Sequence, residues 1–194
     1  MQTQKRVSGK IKSVLEWVDV IVASVLIVVV AFSFVFRIVR IDGSSMNDTL
    51  SNNERVIISK LFYTPKAGDI VVISRNEENN AADTTRSTEP IIKRIIATEN
   101  QVVNIDKDSG KVYVDGVLLD EPYIKDYSTN HYSTDTLYDV SFPLTVDKDC
   151  VFVLGDNRRD SLDSRSSVIG QVNVKRILGR AIIRVFPLNK LGGI

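Results

Sequence analysis

The sequence predicts a mainly β protein: a single N-terminal transmembrane helix followed by an all-β, barrel-like folded-sheet domain. Three observations predict it. Val20 to Phe36 (VIVASVLIVVVAFSFVF) carries no charge. Short Val- and Ile-rich runs separated by turn residues follow. No helical periodicity of any length appears after Phe36.

At about 1.5 Å per residue, the apolar run and its flanks can cross a hydrocarbon core of roughly 30 Å. Trp17 and Asp19 stand at one end and Arg37 at the other, where interfacial rings and snorkelling charges belong. A cleaved signal peptide would have an apolar core of about 7–15 residues and then small residues at the cut. Here the run is longer and Arg37-Ile38-Val39-Arg40 follows, so an uncleaved signal anchor is expected. Lys5, Arg6, Lys10 and Lys12 precede the span, and Arg37 and Arg40 follow it. The positive-inside bias puts the N-terminus in the cytoplasm. The expected organisation is a basic cytoplasmic tail (1–16), an anchor (17–37) and an external domain (38–194). Its substrate would then be membrane-bound or emerging from the membrane.

In the external domain, ERVIIS, DIVVIS, IIKRIIA, QVVNI, KVYVDGVLL, CVFVLG and RAIIRVF read as strands. Asp115-Gly116 is a two-residue hairpin signal. Asn76 to Glu89 and Asp126 to Asp139 read as solvated surface loops. Asp106 to Gly110 (DKDSG) lacks the later ligands of a calcium loop and reads as a turn.

Composition removes several kinds of chemistry. A net charge of +1 over 194 residues gives no basic face for nucleic acid. One His and one Cys cannot form the usual metal clusters, so no metal or other cofactor is expected. A Ser-His-Asp triad would have to use His131, which sits in a polar stretch without orienting context. A Cys150–His131 pair, as in a sortase-like transpeptidase, is formally possible. Cys150, however, leads into an apolar strand and reads as a small buried hydrophobe.

A hydroxyl nucleophile with a lysine base is left. Such a lysine needs its pKa lowered by burial, from near 10.4 by roughly 3 units. Lys93 sits in IIKRII, where alternation puts it on the face of Ile91 and Ile95, with Arg94 opposite. An edge-strand lysine that blocks aggregation fits the pattern equally well. Ser45 follows Asp42-Gly43-Ser44, where a tight backbone can aim amides at an oxyanion. Most such segments are plain turns. Gly155 to Arg165 (GDNRRDSLDSR) is dense in groups that bond locally to backbone, as a solvated loop or a rigid polar scaffold would be.

Taken together, these segments resemble the type I signal peptidases, and the resemblance covers nearly the whole chain. Gly43-x-Ser45-Met46 with Thr49-Leu50 matches the family's serine box, and Gly68-Asp69-Ile70-Val71 its Gly-Asp box. Lys93-Arg94-Ile95-Ile96 matches the lysine box, and Gly155 to Arg158 with Ser161 to Arg165 the last and most specific one. The resemblance implies that Ser45 attacks the scissile carbonyl and Lys93 takes its proton and later activates water. Ser161 would orient the lysine, and Asp163 and Arg165 would brace the site. The Ser45 amide and the Gly43 backbone would serve the oxyanion, and Met46 would pack beside the nucleophile.

The chain departs from the family at Asp48, where proline is usual, and at Ala97 to Gln101, where a Gly-rich turn is usual. The single span resembles the Gram-positive branch. The implied activity is acyl-enzyme cleavage of signal peptides from exported preproteins, near the secretion translocon and membrane lipid. The substrate would add as a strand near Asp42-Gly43 and Ile91-Ile92-Lys93. Leu61-Phe62-Tyr63 is a candidate lipid contact, with a core strand as the alternative. Rival readings are a same-fold peptidase dedicated to one secreted or pilin-like substrate, and an inactive membrane-tethered binding module.

Overall fold

The computed structural model describes residues 2–75, 89–107, 109–124 and 138–194. His131 and most of the two polar loops lie outside the described residues. The chain divides into two compact units, Met1–Arg37 and Ile38–Ile194.

The first unit is built on α1 (Gln2–Val35), whose stretch Ile11–Val30 is long and apolar enough to cross a membrane. Two hydroxyls fall within the apolar part of the helix. Ser24 and Ser33 each donate to the carbonyl four residues back, at 2.7 Å, so neither leaves a polar group unsatisfied. At Phe36 the sequence changes to FRIVR, with the β-branched pair Ile38-Val39 between two arginines, and the chain becomes strand β1 (Phe36–Arg40).

Among the described residues, the second unit is made of strands and short 3-10 turns joined by loops. Its strands are β2 (Arg55–Ser59), β3 (Ile70–Ile73), β4 (Ile91–Thr98), β5 (Val102–Ile105), β6 (Val112–Val114), β7 (Val117–Leu118), β8 (Leu144–Thr145), β9 (Cys150–Leu154), β10 (Val172–Asn173), β11 (Ile177–Phe186) and β12 (Gly192–Gly193). The larger sheet runs β1-β2-β11-β3-β4-β9-β10, with β12 also on β11. The smaller runs β7-β6-β5-β8. The mainly β class expected from the sequence is the one observed, and every run read as a strand forms one. At the β6–β7 hairpin, Asp115 and Gly116 have φ of 52° and 80°, the pair of positive values that a type I′ turn needs.

The central strands are continuous apolar runs because both faces of their sheet are covered. Ile70, Val72 and Ile92 join Ile41, Met46 and Leu50 on one side. Val71, Ile73, Ile95 and Val153 form a second cluster on the other side. Between Ile95 and Ala97 the β4–β9 register slips, Ile95 facing Val153 and Ala97 facing Phe152. This bulge changes the side-chain alternation, so that Ile96 and Ala97 both enter a third cluster with Val103, Phe152 and Leu154. The turn after β4 is closed by the Gln101 side chain, which accepts from the Thr98 amide at 2.9 Å. Cys150 is only half-buried, at the margin of that third cluster rather than within it.

Candidate active site

Lys93 lies in β4 opposite Val71 of β3, with Ile95 next on the same face. The register therefore sets an amine against fully buried aliphatic neighbours, and Lys93 is 3% exposed. The segment between β1 and β2 approaches it. Ile41 is tied to β2's approach by bonds to the Glu54 carbonyl (2.8 Å) and from the Asn53 amide (2.9 Å). Met46 and Leu50 are buried in the first cluster and fix the turn between them. Ser45 is thereby held with its Oγ 2.7 Å from Lys93 Nζ.

Burial pushes the Lys93 amine down to about 8. The Asp163 carboxylate opposes this, the Arg165 and Arg75 guanidiniums add to it, and Asp156 opposes it. Among the described residues Lys93 makes no ion pair. The geometry is that of a hydroxyl beside a desolvated amine, which can exchange a proton near neutral pH.

The Gly155–Arg165 loop backs this pair. The Asn157 amide donates to the Ser45 carbonyl at 3.0 Å, and Asn157 Nδ2 to the Ser44 carbonyl at 3.2 Å. Asp163 is 0% exposed and takes both arms of Arg165, at 2.8 and 2.9 Å, together with the Gly155 amide at 3.0 Å. Burial alone would raise the Asp163 carboxyl, but the Arg165 guanidinium, with the Gly155 amide and Ser161, holds the group below the usual carboxylate range. Arg165 also donates to the Arg158 carbonyl at 2.8 Å and lies over the Tyr138 ring at 4.4 Å. Ser161 is buried against Gly155, near enough to Asp163 to favour its charged form. No hydrogen bond from Ser161 Oγ to Lys93 is present among the described residues.

Gly155 is required by close approach rather than by turn geometry. A Cβ there would stand 2.1 Å from Ser161 Oγ and 2.6 Å from the Ser45 carbonyl oxygen. Because one of these is backbone, Gly155→Ala is expected to displace Ser45 and lower activity by roughly 10-fold or more. Equal reactivity of Ser45 towards an acylating probe in the two proteins would refute this.

Of the other residues singled out in the sequence, Met46 is buried beside Ser45, while Asp42 and Gly43 are exposed. The Gly43 amide donates to Asn52 Oδ1 at 3.3 Å. The Ser45 amide donates to no group among the described residues. A groove of about 400 Å³ is lined by Val39 to Asp42 on one wall and Glu89 to Ile92 on the other, with Val72 at its base. This brings Asp42, Ile91 and Ile92 together. Strand β9 pairs with β4 only from Arg94 onward, so among the described residues the Ile91–Lys93 edge has no strand on that side.

Residues that sequence reasoning did not place in the site also surround it. Arg94 grips Asp156 with two bonds, at 2.8 and 2.7 Å, and donates to the Gly68 carbonyl at 2.8 Å. Thr49 Oγ1 donates to Asp156 at 2.5 Å. Glu121 and Arg158 form a buried ion pair. The polar density of Gly155–Arg165 hinted at these partners. Glu121 carries no local sign, because its partner lies in another sheet's territory.

A family model described as signal peptidase, peptidase S26 matches residues 14–186. A signal peptidase I of Bacillus amyloliquefaciens is 33% identical over 198 residues, covering 98% of both chains. Signal peptidase I S of Bacillus subtilis (strain 168) is 33% identical over 188 residues, covering 94% of this chain and 95% of that one. A crystal structure of a signal peptidase I from Enterococcus faecalis V583 aligns with a TM-score of 0.43 at 28% identity, covering 61% of this chain and 97% of that chain.

Proposed function

The chain belongs to the signal peptidase family, peptidase S26, and on that premise we propose that it is a membrane-anchored serine endopeptidase that removes N-terminal signal peptides from exported preproteins. The observation that carries the mechanism is the 2.7 Å approach of Ser45 Oγ to a buried Lys93. Neutral Lys93 takes the Ser45 proton as Oγ attacks the scissile carbonyl carbon. The Ser45 amide stabilises the oxyanion, and the Gly43 backbone contributes once its bond to Asn52 gives way. Protonated Lys93 then gives its proton to the departing amine, leaving an ester on Ser45. A water deprotonated by Lys93 hydrolyses that ester.

The signal peptide lies extended in the groove, pairing with the Ile91–Lys93 edge and facing Asp42 and Gly43. Ser161, Asp163 and Arg165 hold the catalytic loop. The anchor (17–37) keeps the tail (1–16) in the cytoplasm and the catalytic domain (38–194) on the outer face, near the translocon. Confinement of both partners to one thin layer raises their effective concentration. Preprotein cleavage in membranes, with Ser45→Ala alongside, tests the assignment. Continued processing by Ser45→Ala would overturn it.

Exposure supports a lipid contact at Leu61-Phe62-Tyr63. The three residues form a turn rather than a core strand. Phe62 is 96% exposed, and Tyr63 is pinned through its hydroxyl to Asp69 at 2.8 Å. Lys66 and Arg180 line the same surface and suit acidic headgroups. Phe62→Ser is expected to weaken binding to vesicles containing acidic lipid by ~10-fold while leaving cleavage of a soluble peptide unchanged. Vesicle co-sedimentation measures the first effect. Equal binding by both proteins would remove the turn from the membrane surface.

A further inference from the structure

Glu121-Pro122-Tyr123 follows β7 of the smaller sheet, yet its two polar side chains engage Arg158, in the loop behind Ser45, and Arg94, next to Lys93 in β4. Glu121 is 1% exposed and ion-paired to Arg158, itself buried. The Tyr123 hydroxyl donates to Glu121 at 2.8 Å. The Tyr123 ring lies 3.9 Å from the Arg94 guanidinium, whose fork holds Asp156. Arg94 directly follows Lys93. Arg158 donates through Nε to the Gly155 carbonyl at 3.2 Å, and its own carbonyl receives Arg165 at 2.8 Å.

We propose that Glu121, with Tyr123, is a positioning clamp for the cleavage reaction: by fixing Arg158 and Arg94 it holds the Gly155–Arg165 loop at the distance that keeps Ser45 against Lys93 and water away from the amine. The proposal rests on the Ser45–Lys93 reading. Stability alone does not account for such a pair, since buried ion pairs replaced by apolar residues are often no less stable. The connection is direct. Glu121 fixes Arg158, Arg158 fixes Gly155, and the Gly155 Cα lies so close to Ser45 that a Cβ would meet its carbonyl at 2.6 Å. Neither Glu121 nor Tyr123 touches the groove or the reacting atoms.

The test uses the full-length protein in lipid, with a preprotein substrate and kcat and KM measured across pH. Glu121→Gln is expected to lower kcat by about 100-fold with KM little changed. A loosened loop readmits water to Lys93, so the acid limb of the profile moves above its position near 8, towards the ordinary lysine value. A merely structural role would lower the active fraction and leave the limb in place. If Glu121→Gln does not fold, Tyr123→Phe carries the test, because it keeps the ring over Arg94 and removes one bond to Glu121. A limb displaced upward in the folded variant supports the clamp. An unmoved limb with wild-type kcat, or a loss of activity with the limb unmoved, overturns it. Ser45→Ala is run in parallel. If it still cleaves, the Ser45–Lys93 reading falls and the clamp with it. If it is inactive while the clamp variants behave as wild type, only the clamp falls.

Discussion

Lys93→Met is expected to lower kcat for preprotein cleavage by about 10⁴- to 10⁶-fold and, at pH 7, to make the fold more stable. The loss follows from the proposed role of Lys93 as the base. Without a group to take the Ser45 proton, the hydroxyl is a weak nucleophile, and removing one member of such a unit costs nearly as much as removing all of it. The gain follows from the same burial that makes Lys93 useful. Its folded pKa of about 8 lies below the unfolded 10.5, so below pH 8 the fold carries the full cost of keeping a charged amine out of water. That cost is about 3 kcal/mol at 1.36 kcal/mol per unit. It is relieved as pH rises from 8 to 10.5, because the unfolded chain then binds the proton that the folded one has released. Methionine keeps the apolar stem and removes the penalty at every pH. Thermal unfolding at pH 7 and pH 10 should therefore show the two proteins converging at the higher pH, with the variant ahead at the lower. The wild-type acid limb should lie near 8, since protonated Lys93 cannot accept a proton. A variant that cleaves at the normal rate would end the proposal that Lys93 is the base. A variant that is inactive but less stable would show that the amine is not held at a cost.

Much of this arrangement was legible before the structure, and what was not has a physical pattern. The apolar runs were readable as strands because β-branched residues bounded by turn residues leave few other options. The hairpin at Asp115-Gly116 was readable because so few residues accept positive φ twice in succession. The placement of Lys93 with Ile95, opposite Arg94, came from strand alternation and holds in the register with β3. β8, β10 and β12 were not readable. They are two residues long and exist only because a longer partner offers hydrogen bonds. The bulge at Ile96 was invisible for a related reason, since alternation within IIKRIIAT gives no sign of where a partner strand slips. In the site, the serine, the lysine and the polar loop could each be named, although their proximity could not be deduced from spacing. The Glu121–Arg158 pair was missed entirely, because a buried charge and a solvated one look alike until the partner is known.

Asp163→Ala and Arg165→Met are expected to move the acid limb of cleavage in opposite directions while both cost stability. Each removes half of a pair buried to 0% and 4% exposure, leaving the other charge without its partner at a cost of about 3–5 kcal/mol. Stability alone cannot separate the two variants, but Lys93 can. The Asp163 carboxylate favours the charged amine, so its loss lets the Lys93 pKa fall further and carries the acid limb below 8. The Arg165 guanidinium disfavours that charge, so its loss carries the limb upward. Turnover falls in both cases because the Gly155 amide loses the acceptor, or the acceptor loses its restraint, that holds the loop behind Ser45. The acid side of the stability profile adds an independent check. The folded Asp163 carboxyl lies below its unfolded value, so its contribution is present above the unfolded pKa and disappears as pH falls through the lower folded one. Asp163→Ala should lack that acid-sensitive part of the curve, whereas Arg165→Met, with the carboxyl buried and no guanidinium to hold it ionised, should shift it to higher pH. If both variants displace the cleavage limb in the same direction, the pair acts on Lys93 by altering its burial rather than through its charges.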